Sequence, residues 1–501
     1  MMNNFVSLLG IGLLLLVAWV MSNNRKVINT RVIIGGMALQ LLFGVFIFVF
    51  PLGRWLFQRL NDAVFVLLSY ANQGTVFLFG NLAISPGKKG SMGMFLAFQV
   101  LPAVIFFAAV VGLLYYFGVM QFLIRVFATI FSRLMGVSGA EALCVSSNIF
   151  VGVESGLTIR PYIEKMTSSE LFTILASGMA TIASTVLAIN AGFLQKSFPS
   201  IAGHLISASL LSAPAVLIVT KLMFPETDTP ETAGQNIMDD VERSDNWVES
   251  IVTSSMEGVR LAVGIGAMLL VFVSFLSMFN GFLGWGGGLF GIKGLTLQGI
   301  LGYVFYPFVL AMGVPAADAS QISQLLGLRA VITEVPAYNI LAGMVKSGAF
   351  QDPRSVVIAT YCLCGFAHIP AVAIFVGGFA AIAPSRSKDL SRLGFRALIA
   401  ATIACLMTGA VAGLFYTGGD TVLLGKAKQQ PTQSAKKTPG RDVKKKTQTP
   451  PKARAEGAKQ ANSAAENKRQ AAPVAREAAG KQKAAPKARP KQPVTAPAPR
   501  R

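Results

Sequence analysis

Apolar stretches about as long as a bilayer is thick recur along this chain, near 5–22, 32–51, 94–119, 169–197, 202–223, 257–282, 355–383 and 394–417. A helix needs roughly 20 such residues to cross the hydrocarbon, and in lipid each backbone amide must be satisfied within its own segment. With 53% hydrophobic and only 13% charged residues, the sequence predicts an all-α polytopic membrane protein with eight transmembrane helices. Two charged, aromatic-rich segments, "RWLFQRLNDAVFVLLSYANQGTVFLFG" and "QFLIRVFATIFSRLM", suit helices lying in the interface.

The formal net charge of +21 would point to a polyanionic partner were it evenly spread. It is not: residues 426–501 hold 21 of the 44 basic residues and 4 of the 23 acidic ones, leaving 23 basic against 19 acidic in the body. No nucleic-acid partner is expected for so nearly neutral a membrane body. The tail, built of Lys, Ala, Pro, Gln and Arg, cannot bury enough surface to offset its ordering entropy and reads as disordered. Cys144, Cys362, Cys364 and Cys405 all fall in apolar segments and read as buried side chains, without ligand spacing for zinc or a disulfide framework.

Arg25, Lys26 and Arg31, then Arg125 and Arg133, then Arg386, Lys388, Arg392 and Arg396 all fit the cytoplasmic side if the N-terminus is outside. Eight crossings then put the basic tail outside as well. The lysines just after the last span oppose this, but long hydrophilic segments can translocate despite their charge.

An internal echo organises the rest. "GVSGAEA" at 136–142 recurs as "GVPAADA" at 313–319, each followed by a moderately apolar stretch with one glutamate, Glu154 or Glu334, then a turn and a full span. Each stretch is too polar to cross and too apolar for a loop. It reads as a re-entrant hairpin, and paired interruptions in two halves of a chain point to a transporter's binding site. A carboxylate inside a membrane segment is costly, so both glutamates are site candidates. The following spans carry breaks of their own, "SGMATIASTVLAIN" and "YCLCGFAHIPAVAIFVGG". Asn148, the carbonyls of Val151 and Ile182, and Thr181 would make an all-oxygen pocket suited to a small hard cation.

"NIFVGVES", "RPYIEKMTSSELF", "MATIASTVL", "TEVPAY", "CGFAHIPA" and "APSRSKDLSRLGFRALIAATIA", in that order, resemble the concentrative nucleoside transporter family. The resemblance runs from Met1 to about Gly418. It implies eight spans with two hairpins, inward symport of a nucleoside with sodium or, in some bacterial members, a proton, an elevator-type movement, and a homotrimer among the lipids of the inner membrane. It places Asn148, Val151, Thr181 and Ile182 as sodium ligands. It places Glu154, Val186, Glu334 and Phe366 at the solute, with Val153, His368 and Ala371 at positions that differ from the family pattern. The first hairpin tip there usually reads G-Q-T-E-[AS]-P, where this chain has "GVES"; the later motif reads C-G-F-A-N-[FL]-S-S, where this chain has His368 and Ala371.

Those losses suggest the same machine with a changed solute, because a site stripped of donors rejects the ligand that needed them. A non-nucleoside solute, or a non-transporting sensor or structural protein on this scaffold, are the alternatives. An enzyme is not expected: two carboxylates without nucleophile or metal are a weak acid–base signal, and there is no phosphate-loop motif for ATP. The organisation follows as scaffold and interfacial helices (1–135), first hairpin and transport repeat (136–223), a cytoplasmic loop (224–256), a scaffold helix with an interfacial segment (257–312), second hairpin and transport repeat (313–425), and the tail (426–501).

Overall fold

The computed structural model describes residues 2–417 apart from 86–87, 236 and 238–243, so the basic tail lies outside the described residues. Eighteen α-helices build the fold, with no strand among the described residues. The N-terminal group is α1 (Met2–Val20), α2 (Thr30–Phe48), α3 (Pro51–Phe79), α4 (Leu96–Gln99), α5 (Leu101–Tyr116) and α6 (Val119–Met135). The first repeat follows as α7 (Gly139–Asn148), α8 (Ser155–Thr158), α9 (Ser168–Ala180), α10 (Ser184–Leu194) and α11 (Ile201–Met223). Then come α12 (Trp247–Leu289) and α13 (Leu297–Ala311). The second repeat comprises α14 (Ala316–Val331), α15 (Glu334–Lys346), α16 (Pro353–Leu363), α17 (Ile369–Ile382) and α18 (Ser387–Phe415).

Eight helical runs among the described residues are long and apolar enough to cross a membrane, and seven of them coincide with spans read from the sequence. The eighth is Pro51–Ala83, expected in the interface. It forms one helix because Pro51 starts it and Gly80 ends it, with Arg54, Arg59 and Asp62 confined to its first three turns. The span expected at 355–383 is instead two helices, α16 and α17, too short singly to cross. At 43 residues α12 is far longer than its apolar stretch, because Asn246 caps it eleven residues upstream and accepts from the Glu249 amide.

The echoed heptapeptides are helix-start devices. Gly136 (φ 71°) and Gly313 (φ 83°) both turn the chain in the left-handed region before an extended residue and a helix. The acidic residue of each copy then falls at the third helical position, Glu141 in α7 and Asp318 in α14. Ser138 and Glu141 form a capping box, and Glu141 also meets buried Lys221. Asp318 accepts from the amides of Gln351 and Asp352 and from Ser355 Oγ, fastening the second hairpin to the start of α16. Arg354 ties that junction to α1 through the Gly313 carbonyl, Asn4 and Ser7.

The two hairpins differ in build. The second is a pair of full half-helices, α14 and α15, joined at Ile332–Thr333, whereas the returning arm of the first is the single turn α8 followed by irregular chain. Pro161, after Arg160, has no amide to extend that arm. The first broken helix, α11, α16 and α18 are largely buried, while the spans of α1, α2, α3, α5 and α12 are buried over a third of their length or less. Along α12 small residues let α5 approach: Gly258 faces Ile105 and Ala108, and Gly112 faces Ser254.

Candidate functional site

Both broken helices open beside the first hairpin tip. Between α9 and α10 the chain is extended at Thr181, and the Ser184 amide and hydroxyl both donate to the Phe150 carbonyl, at 2.9 and 2.7 Å. The Phe366 amide in the other break donates to the Thr181 carbonyl (3.2 Å). The two breaks therefore touch each other as well as the tip. Their approach requires Gly365, because a Cβ there would lie 2.7 Å from the Ala180 carbonyl oxygen and from Cys405 Sγ.

The four expected cation ligands gather around this junction. Asn148 ends α7, fully buried, with its Nδ2 donating to Ser177 Oγ (2.9 Å) and its Oδ1 without a partner. Val151 stands in the tip, and neither its carbonyl nor that of Ile182 accepts a hydrogen bond among the described residues. Thr181 Oγ1 spends its proton on the Ser177 carbonyl (2.9 Å), which leaves its lone pairs available. A buried acceptor such as Asn148 Oδ1 is rarely left unpaired; with the carbonyls of half-buried Val151 and of Ile182 on adjacent segments, it fits a hard, oxygen-seeking cation.

All seven residues expected at the solute line one cavity of about 230 Å³: Val153, Glu154, Val186, Glu334, Phe366, His368 and Ala371. Val153 rests on Gly378 of α17, where a Cβ would come within 2.2 Å of Cγ2. Val186 and Ala371 are buried apolar wall, and the Phe366 ring meets His368 edge-on with centroids 6.1 Å apart. The two glutamates are unlike. Glu154 is exposed to the cavity, with Oε2 accepting from the Gly152 amide (3.0 Å), whereas Glu334 is 2% exposed.

Glu334 faces His368. This histidine caps α17, its Nδ1 accepting from the Ala371 amide (3.1 Å). Its Nε2 lies 3.1 Å from Glu334 Oε2, a charge-pair distance without hydrogen-bond alignment, so Oε2 stays a buried oxygen with no hydrogen-bond partner among the described residues. The second hairpin and the broken helix thus bring Glu334 and His368 together in the wall of the cavity.

Other residues enter the site without a motif to announce them. Thr333 puts a buried hydroxyl with no partner beside Glu334. Arg260 on α12 closes the opposite wall, brought there by a helix remote in sequence from either hairpin. Arg329, wholly buried on α14, donates to the Cys362 carbonyl at the end of α16 (2.7 Å). Its one sequence signal is a charge inside an apolar arm.

Paired hairpins, paired helix breaks and a shared cavity define a membrane carrier that moves a small solute with a cation. Three parts of the sodium-dependent nucleoside transporter family match the chain: its N-terminal region over residues 9–82, its C-terminal region over 204–413, and a nucleoside-recognition gate over 97–197. An uncharacterized transporter of Haemophilus influenzae is 38% identical across 83% of this chain and 99% of its own. The nucleoside permease NupC of Helicobacter pylori is 34% identical across 82% and 98%. Among solved structures, CNTnw in an inward-facing substrate-bound state superposes with a TM-score of 0.74 at 34% identity, covering 82% of this chain and 98% of that one. A CNTnw variant in an outward-facing state gives 0.75 at 35%, covering 83% and 98%. The chain belongs to the concentrative, sodium-dependent nucleoside transporter family. It is a multi-pass membrane protein of a transporter family, and sodium is the coupling ion that membership assigns.

Proposed function

We propose that the protein is a secondary active symporter that imports a nucleoside or nucleoside-like polar solute with sodium, and that it works by an elevator-type movement. The observation that carries this reading is the set of unsatisfied oxygens on Asn148, Val151 and Ile182, next to a cavity that holds two intramembrane glutamates. A cation bound there supplies the positive charge those oxygens await. Its ligands come from the hairpin tip and from the break that also aims Val186 at the solute. Filling one site therefore orders the walls of the other, which is the coupling a symporter needs.

The mobile body in this reading comprises the two hairpins with the broken helices, α11 and α18, sliding against α5 and α12, whose small-residue seam holds them together. The exposed apolar faces of the outer helices suit lipid and the partner copies of a homotrimer in the plasma membrane. The cytoplasmic placement of the three basic loops, with the N-terminus outside, belongs to the same proposal.

A changed solute is the second reading, and His368 favours it. Its Nε2 engages Glu334, so a solute must compete with that contact or replace it. Thermal stability of the purified full chain, measured against adenosine, guanosine, uridine, nucleobases and other polar metabolites with and without sodium, tests both. A ligand that binds the folded state alone raises stability with the logarithm of its concentration. A nucleoside that stabilises more strongly in sodium is the expected result. Stabilisation by sodium with no nucleoside effect would transfer the machine to another solute class, and no response to either would overturn the symporter.

A further inference from the structure

Glu154 belongs to two cavities. Besides the one described, a second of about 260 Å³ lies between the first hairpin tip and the facing sides of α5, α6 and α12. The two share Gly152, Glu154, Ala183 and Leu261, so only the tip and one turn of α12 divide them.

Their chemistry differs. The central cavity is largely apolar outside its glutamates, His368, Thr333 and Arg260. The second also has a mainly apolar wall, with Val111, Phe150 and Leu157 in it, but adds hydroxyls from both bodies and a second carboxylate, Glu257, and none of its lining residues is basic. Two side chains in its wall are nine-tenths buried and hold polar atoms without a partner: Thr185 Oγ1 (9% exposed) and Gln121 Oε1 (8% exposed). Such atoms are costly unless something fills their bonds. Glu257 and Arg260 stand one turn apart on α12, both exposed, the first lining the second cavity and the second the central one. A solute leaving the central cavity passes from an environment with an arginine to one whose only charged lining residues are the carboxylates Glu154 and Glu257.

We propose that the second cavity is a second solute station on the transport path, in which Glu257, Thr185 and Gln121 hold an uncharged, hydroxyl-rich portion of the solute such as a ribosyl group. Two carboxylates, Glu154 and Glu257, select hydrogen-bond donors and repel anions, so phosphorylated solutes are excluded. Glu154, present in both cavities, hands the solute from one to the other. Glu257 sits on a helix assigned to the static body and therefore contributes to release rather than to the central site. The station rests on the transport reading given above.

The test uses the full chain in proteoliposomes with an inward sodium gradient and radiolabelled adenosine, guanosine and uridine, together with equilibrium binding in detergent at saturating sodium. Glu257→Gln and Thr185→Val are each expected to lower turnover about tenfold, as loss of one hydrogen bond to a polar group does, while the affinity at equilibrium and the number of binding sites hold. Glu257→Asp should recover part of the turnover, which a merely structural role would not explain. Unchanged turnover in both variants overturns the station, and so does a parallel fall in affinity and turnover, which would place these residues in the central site. Absence of uptake of all three nucleosides by the unaltered protein removes the transport reading itself, and the station with it.

Discussion

At position 368 the imidazole caps α17 through Nδ1 and presents Nε2 to Glu334, so one side chain fixes both a helix start and a carboxylate. Glutamine at 334 keeps the shape but loses the charge that stands 3.1 Å from Nε2. Glu334→Gln should therefore insert normally and keep its thermal stability, while uptake falls by about a hundredfold, near the upper end for loss of a charged hydrogen bond. Uptake close to that of the unaltered protein, measured on correctly inserted material, would remove Glu334 from the solute site. Glu154 and Glu334 were legible in the sequence because a carboxylate in an apolar run has few innocent explanations. Their inequality was not, since burial depends on what packs from elsewhere: His368 covers one, and open space faces the other. Thr333 and Arg260 were hidden for a related reason. A threonine at a helix start and an arginine on a long helix are ordinary in isolation, and only the fold aims them into one cavity.

Among the elements, the helix breaks carry the architecture. Gly365 lies where the two breaks cross, with φ 156° and no room for a side chain. The contacts a Cβ would meet are the Ala180 backbone and a buried thiol, neither of which can swing aside. Gly365→Ala should destabilise the protein by roughly 2–4 kcal/mol, combining overpacking with backbone strain, and should loosen the sodium site through Thr181. A thermal midpoint equal to that of the unaltered chain would show that the breaks can part without cost. The breaks themselves were readable as Gly, Ser, Thr, His and Pro within apolar runs. The echo of "GVSGAEA" in "GVPAADA" was readable too, and in three dimensions it places an acid at the third position of each hairpin's first helix. What periodicity could not give was length. The extension of α12 beyond its apolar stretch depends on the Asn246 cap, and the short return of the first hairpin on a proline turn.

For the whole molecule, the separation between a buried body of hairpins and broken helices and an outer set of exposed helices gives the cation site an energetic role. One sodium ion entering through 100 mV releases about 2.3 kcal/mol, and a tenfold gradient adds about 1.4 kcal/mol. Coupled one to one with an uncharged solute, these permit accumulation of roughly 500-fold. Proteoliposomes given the gradient alone should reach about tenfold accumulation, and adding an inside-negative potential of about 100 mV should raise the limit toward 500-fold. In the proposed reading the oxygen cluster at Asn148, Val151, Thr181 and Ile182 takes one ion for each solute. Two ions per solute would make the gradient-only limit about a hundredfold, demanding a second cluster of unsatisfied oxygens. At the end of α16, beside the second break, stands Arg329, whose guanidinium donates to the Cys362 carbonyl. A fixed positive charge there leaves little reason for a second ion, so an accumulation limit near a hundredfold without a potential would contradict this assignment directly.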